Sequence, residues 1–165
     1  MLPTKRHMVE LVSAGYRQPV SAGQPAGAAA RDAPPSVVTV GLIVVAAVQL
    51  ALALLMAISP HAFYEVVGPF GALNAHYIRD EATFYGATGI CLLVAVRRVS
   101  WRVPVLALMT LQYALHSVNH LVDIGRAHPA WTGYFDFLTL ATSTAVLAWL
   151  WRTAALERTA APEGS

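Results

Sequence analysis

Residues 37–58 read VVTVGLIVVAAVQLALALLMAI, a run whose only polar side chains are Thr39 and Gln49. A helix over this run is long enough to cross the roughly 30 Å hydrocarbon core of a bilayer. The run follows a tail of 36 residues, and residues 59–63 contain no clear small-residue cleavage site. We therefore predict a retained membrane helix here rather than a cleaved signal peptide.

The rest of the chain is also poor in charge. Hydrophobic residues make up 56% of it and charged residues 12%, whereas an ordinary soluble domain carries about 25% charged residues. Three further spans can be drawn at about residues 81–96, 103–124 and 134–151. The second span is short and the third carries polar groups, so we expect the spans to cover one another's polar faces. The predicted fold class is all-α, an integral membrane four-helix bundle over residues 37–151.

The flanking segments and the basic residues predict the topology. Residues 1–36 are rich in Ala, Gly, Pro and Ser without hydrophobic periodicity, which is typical of a disordered tail. Residues 152–165 form a similar tail. Basic residues collect on the cytoplasmic side of membrane proteins, and here only Arg79 and Arg126 fall on the side away from the termini. We predict a multi-pass protein of a bacterial inner membrane, surrounded by lipid, with both termini in the cytoplasm.

Polar side chains form a single stripe along the third predicted span, because their spacing from the first member is four, seven, eight and eleven residues. The stripe consists of Gln112, His116, Asn119, His120 and Asp123. Polar groups inside a bilayer are expensive and usually face a protein interior or an aqueous cavity. In the predicted topology Glu81 and Tyr85 of the second span and Asp136 of the fourth lie at the same outer level. We predict that these eight residues line one polar site near the outer face.

The connection between the first two spans, residues 59–79, is long for so small a protein. Its stretch Gly68-Pro69-Phe70-Gly71 predicts a turn, and its aromatic and branched residues give it an apolar side. We predict that this connection caps the outer mouth of the bundle. Ser36 and Asp80 are the predicted N-caps of the first and second helices.

A metal site is one alternative for the polar stripe. His116 and His120 lie four residues apart, so both imidazoles share one helix face and can ligate a metal. Such a site needs a third ligand and usually a second-shell carboxylate, for which Glu81, Asp123 and Asp136 are the candidates. Ligand type alone does not choose among zinc, copper and iron.

A b-type haem is a second alternative, and either group would make the chain a membrane redox protein. Two histidines on one helix face cannot approach one haem from opposite sides. His116 or His120 would therefore need His61 or His76 as its partner across the bundle. The sequence has no Cys-x-x-Cys-His attachment motif.

A third alternative is a pocket for a lipid or other small apolar ligand, such as a sterol or a quinone. Pockets between helices are mostly apolar with a few convergent polar groups, and Tyr85, Tyr113 and the two histidines suit such a lining. A histidine and Glu81 or Asp136 can exchange protons in an acid–base reaction. Nothing in the sequence identifies a nucleophile or a reaction, however, so we favour binding without catalysis.

The fourth alternative is purely structural. The polar groups then satisfy one another across helices and fix the helix register, and the chain is an accessory subunit whose apolar faces contact partner subunits of a larger membrane complex. No nucleic-acid partner is expected.

The helical region resembles a known class of membrane protein. Four short helices, a long first outer connection and the stretch Arg79-Asp80-Glu81 with Gly86 at the opening of the second helix resemble the small bacterial membrane proteins of the DoxX-like type. The resemblance covers about residues 37–151 and implies the same four-helix membrane fold. The histidine pair is not a motif of that family, so the resemblance implies no role for His116 or His120.

Overall fold

The computed structural model describes residues 35–160, and this part of the chain folds into five α-helices without a β-strand. In chain order the helices are α1 (Val37–Ile58), α2 (Pro60–Val66), α3 (Ala75–Arg97), α4 (Val99–Val122) and α5 (Ala130–Ala160). The predicted all-α class is confirmed. The predicted disordered tail of residues 1–36 lies almost entirely outside the described residues, as does the end of the predicted tail at residues 161–165.

The helix ends agree with the predicted spans in part. α1 coincides with the predicted first span, and the Ser36 side chain caps it by accepting from the Thr39 amide. The cap predicted at Asp80 is wrong, because α3 begins earlier and the Asn74 side chain caps it by accepting from the Tyr77 amide at 3.1 Å. The C-terminal tail predicted from residue 152 is also wrong over its first part, since α5 continues to Ala160.

The four long helices pack mainly in two pairs. α1 lies along α3, α4 lies along α5, and α3–α4 contacts join the two pairs. Apolar side chains from all four helices meet in one core because each helix buries a stripe at helical spacing. Its most deeply buried large members are Val38 and Leu42 of α1, Leu92 of α3, Leu106 and Met109 of α4, and Leu147 and Leu150 of α5.

Within the described residues, α1 is the one helix that is long and apolar enough to cross a membrane by itself. The second and fourth predicted spans lie within α3 and α5, and the third lies in α4 except for its last two residues, which follow the helix end at Val122. Their polar side chains lower their apolar character, so length and composition alone do not mark them as spans. The structure confirms the helices, and the four-span membrane arrangement stays a prediction.

Arg102 joins the four long helices at the end opposite α2. Its guanidinium donates to the Thr39 hydroxyl of α1 at 3.0 Å and to the Ala95 carbonyl of α3 at 3.3 Å. The same group lies 3.7 Å from the Glu157 carboxylate of α5, and its side chain is only 13% exposed. Hydrogen bonds from a charged donor are among the stronger ones in proteins, so this cluster holds the helix ends in register.

Candidate functional site

Two neighbouring cavities lie where α2 covers the ends of the long helices. Cavity A has a volume of about 310 Å³ and is lined by α2, the turn after it, α3, α4 and Met56 of α1. Cavity B has a volume of about 200 Å³ and is lined by all five helices. The two cavities share Phe63, Gly68, Tyr85, His116 and His120 as lining residues, so they adjoin along one wall.

α4 supplies the shared wall with two histidines. His116 and His120 lie on successive turns of α4, and their ring centroids are 4.8 Å apart. The Phe70 ring meets the His120 ring edge-on, with centroids 4.9 Å apart and an interplanar angle of 82°. Asn119, between them in sequence, lines cavity A only. The i, i+4 spacing of the histidines thus has the predicted consequence, since both rings face the same space.

α3 and α5 supply the two carboxylates. Glu81 lines cavity A, and Tyr85, one turn further along α3, lines both cavities. On α5, Asp136 lines cavity B together with Thr139 and Ser143, which share its helix face. Polar residues of α3, α4 and α5 therefore converge on the two cavities. The predicted topology puts them at the same level of the bundle.

Two polar atoms at this site have no hydrogen-bond partner within the described residues. They are Nδ1 of His120 and Oδ2 of Asp136, and both atoms are buried. Leaving a buried donor or acceptor unsatisfied costs about 1–3 kcal/mol, so such atoms call for an explanation. Both residues line cavity B, although these two atoms themselves have almost no accessible surface.

Two of the eight predicted site residues lie elsewhere. Gln112 is half-buried on α4 and lines neither cavity. Asp123 is the C-cap residue of α4, and its carboxylate pairs with the Arg126 guanidinium at 3.1 Å. Gln112 and Asp123 belong to the polar stripe, but the stripe extends beyond the part of α4 that faces the cavities.

The aromatic residues of the α2 segment were not among the predicted site residues. Phe63, Tyr64 and Phe70 line cavity A, because α2 and the following turn fold back over the helix ends. The Tyr64 hydroxyl donates to the Gly71 carbonyl and closes that turn. Gly71 has a φ of +64°, a left-handed conformation that glycine adopts without a steric penalty. The apolar side of this connection had led to the prediction that it caps the end of the helix bundle.

A buried hydrogen-bond cluster adjoins cavity B and was also missed. The Gln49 amide of α1 donates to the Thr88 hydroxyl of α3 at 3.1 Å. The Tyr113 hydroxyl of α4 donates to the Gln49 carbonyl oxygen at 3.0 Å, and Tyr113 also lines cavity B. A lone glutamine in the middle of an apolar run was the available signal. Through these two hydrogen bonds the Gln49 side chain joins α1, α3 and α4 beside cavity B.

The described residues do not complete the predicted metal or haem sites. Among residues 35–160, no group of three or more His, Cys, Asp or Glu side chains lies close enough to hold a metal ion. His116 and His120 thus lack a third ligand from this part of the chain. His76 lies at the surface 3.5 Å from Asp80, and neither His76 nor His61 lines either cavity. The two histidines expected as the second axial ligand of a haem therefore lie away from the cavities.

No family model, curated protein or solved structure matches the chain. The resemblance to DoxX-like proteins accordingly stays a prediction. A functional conclusion has to come from the geometry and chemistry of the two cavities.

Proposed function

We propose that this chain is an integral membrane protein that binds a small amphipathic molecule in cavities A and B. The observation that carries the proposal is the convergence of polar side chains from α3, α4 and α5 on two adjoining cavities in an otherwise apolar set of helices. Binding sites for small molecules combine an apolar lining with a few convergent polar groups.

The exterior of the described helices supports a membrane setting. On α1, Val44, Leu54 and Ile58 are 56%, 61% and 73% exposed, while Gln49 on the same helix is buried. Large apolar side chains also lie exposed along α4 and α5, for example Leu115 at 64%. Contiguous apolar surface of this kind marks membrane or protein contacts. Lipid would cover these faces, and the polar groups would point inward.

The size and the lining of the cavities indicate the kind of molecule. Cavity A lies within the range of about 300–1,000 Å³ that is usual for ligand sites. Its wall combines apolar side chains such as Met56 and Ile78 with the polar Glu81, His116 and Asn119. A molecule with both an apolar body and a polar group fits such a wall better than a purely apolar one.

The chief competing proposal is a purely structural role. In that case the polar groups would pair with one another across the helices. His120 Nδ1 and Asp136 Oδ2 have no partner within residues 35–160, although both atoms are buried. The polar groups of the described residues therefore do not form a closed hydrogen-bond network, which a purely structural role would require.

The first test is recovery of the bound molecule. We expect protein purified in mild detergent to release a small amphipathic molecule on solvent extraction, measured by mass spectrometry of the extract and of the intact complex. His120→Phe combined with Asp136→Leu should abolish recovery, because the larger apolar side chains fill cavity B and remove both unpartnered atoms. Gln112→Leu is the matched control on α4 and should release the molecule as the natural chain does. Equal recovery from all three proteins would contradict the proposal.

The second test concerns the topology, because we propose that the cavities lie near the outer face of the membrane. In a Cys91→Ala background, Ala72→Cys in the turn after α2 should react with a membrane-impermeant maleimide in intact cells. Ser100→Cys, at the opposite end of the helices, should react only after permeabilisation, since the positive-inside rule puts Arg97, Arg98 and Arg102 in the cytoplasm. Both positions are exposed. If Ser100→Cys reacts in intact cells and Ala72→Cys does not, the orientation is the opposite of the proposed one.

A further inference from the structure

We infer that the molecule bound in cavity A is a cation, an organic ammonium whose charged group lies among aromatic rings beside the Glu81 carboxylate. The inference rests on the proposed function and specifies the chemical class of its ligand.

Five aromatic side chains contribute to the wall of cavity A. They belong to Phe63, Tyr64, Phe70, Tyr77 and Tyr85. The face of an aromatic ring carries the negative part of its quadrupole and attracts an alkylammonium or quaternary ammonium group within about 6 Å of the ring centre. Several rings around one space form a cage that suits such a cation, whereas a neutral apolar ligand gains no electrostatic advantage from them.

The formal charges of the lining have one sign. Among residues 35–160, Glu81 is the only Asp, Glu, Lys or Arg side chain that lines cavity A, and Asp136 is the only one that lines cavity B. Neither forms an ion pair within the described residues, where Arg102 pairs with Glu157 and Arg126 with Asp123. A carboxylate without an ion-pair partner leaves a negative charge at the cavity wall. A cation would neutralise it, and an anion would be repelled.

The histidines are the competing source of positive charge. Within the described part of the chain, His116 and His120 are the only lining side chains that can become cationic by binding a proton. If they neutralise the carboxylates, a neutral molecule of the same shape should bind as well as a cation. The comparison of a cation with its neutral counterpart therefore separates the two possibilities.

The rings are held in place before any ligand arrives. The Tyr64 hydroxyl is bound to the Gly71 carbonyl, and the Phe70 ring packs edge-on against His120. The backbone of Phe70 also forms an antiparallel bridge with Ala127 in the α4–α5 connection. A ligand does not have to order a cage that is already braced on two sides, which favours affinity.

The experiment compares benzyltrimethylammonium with neopentylbenzene, in which carbon replaces the ammonium nitrogen at nearly the same shape. Binding is measured by equilibrium dialysis against the full chain in nanodiscs of zwitterionic lipid, with empty nanodiscs to subtract partitioning into lipid. We expect the cation to bind about tenfold or more tightly than the neutral compound.

Two variants with matched controls locate the site. Glu81→Gln should weaken binding of the cation about tenfold and leave the neutral compound unchanged, whereas Glu65→Gln on the exposed side of α2 should change neither. Tyr77→Leu should weaken binding of the cation, whereas Tyr134→Leu should not. Tyr77 and Tyr134 are similarly exposed, at 61% and 58%, but Tyr134 lines neither cavity.

The possible failures are distinguishable. Equal binding of the two compounds, with no effect of Glu81→Gln, would overturn the inference and leave the proposed binding function intact. Absence of binding by either compound, together with recovery of a neutral or anionic molecule from the purified chain, would overturn the inference in the same way. Absence of both binding and any recovered molecule would overturn the proposed function as well.

Discussion

Gly133→Ala is expected to lower the free energy of unfolding by about 3 kcal/mol, at the upper end of typical overpacking effects. Gly133 lies in the first turns of α5, where a Cβ would overlap the carbonyl oxygen of Ile124 at the end of α4. A backbone carbonyl cannot rotate away as a flexible side chain can, so the two helices would have to separate. Asp136, three residues further along α5, would then move relative to His120.

Gly125→Ala is the matched control for this prediction. Gly125 lies in the same α4–α5 connection, but a Cβ there meets no atom within 4 Å. We expect its free energy of unfolding to stay within about 0.5 kcal/mol of the natural chain. Unfolding by denaturing detergent, followed by circular dichroism, measures both variants. Equal stability of the two variants would contradict the close approach of α4 and α5.

Gln49→Ala is expected to lower the free energy of unfolding by about 2–4 kcal/mol. The substitution removes the partner of the buried Thr88 and Tyr113 hydroxyls and leaves a cavity among α1, α3 and α4. Gln49 itself is only 1% exposed, so water cannot readily replace its amide. The Thr88 hydroxyl retains its bond to the Phe84 carbonyl, which leaves the Tyr113 hydroxyl as the more affected group.

A pair of volume-conserving substitutions separates the polar effect from the cavity. Gln49→Leu alone keeps most of the volume but still leaves the Tyr113 hydroxyl unsatisfied, so it should destabilise. Gln49→Leu combined with Tyr113→Phe removes both polar partners and should recover most of the loss. The double-mutant coupling, measured by the same unfolding assay, should be about 0.5–3 kcal/mol. Strictly additive effects would show that the hydrogen bond contributes nothing.

The ends of a helix could be predicted from the sequence where the apolar run and the capping residue pointed to the same boundary. α1 coincides with the predicted span because an uninterrupted apolar run follows Ser36, a residue that caps a helix well. α3 differs because Asn74 offers the same capping chemistry as Asp80, and the five residues between them are too few and too mixed in polarity to show which residue caps the helix. α5 continues past residue 151 because helix propensity carries it beyond the apolar segment.

The candidate site could be predicted in part for a similar reason. Six of its eight predicted residues line the two cavities, because helical periodicity puts residues three and four apart on one face. The same periodicity wrongly included Gln112 and Asp123, since a stripe on one helix does not reveal where its neighbours end. The aromatic wall of cavity A escaped prediction as a site because it depends on how α2 folds back.

The sequence by itself determined the all-α class, the most apolar helix and the shared face of His116 and His120, because these follow from interactions a few residues apart. Only the tertiary structure decided which polar groups meet. It brought Glu81 and Asp136 to cavities that the histidines also line, linked Gln49 to Tyr113 across 64 positions of sequence and placed five aromatic residues in the wall of the cavity that Glu81 lines. Such meetings depend on helix packing and on the path of the α2 segment, which short-range periodicity does not contain.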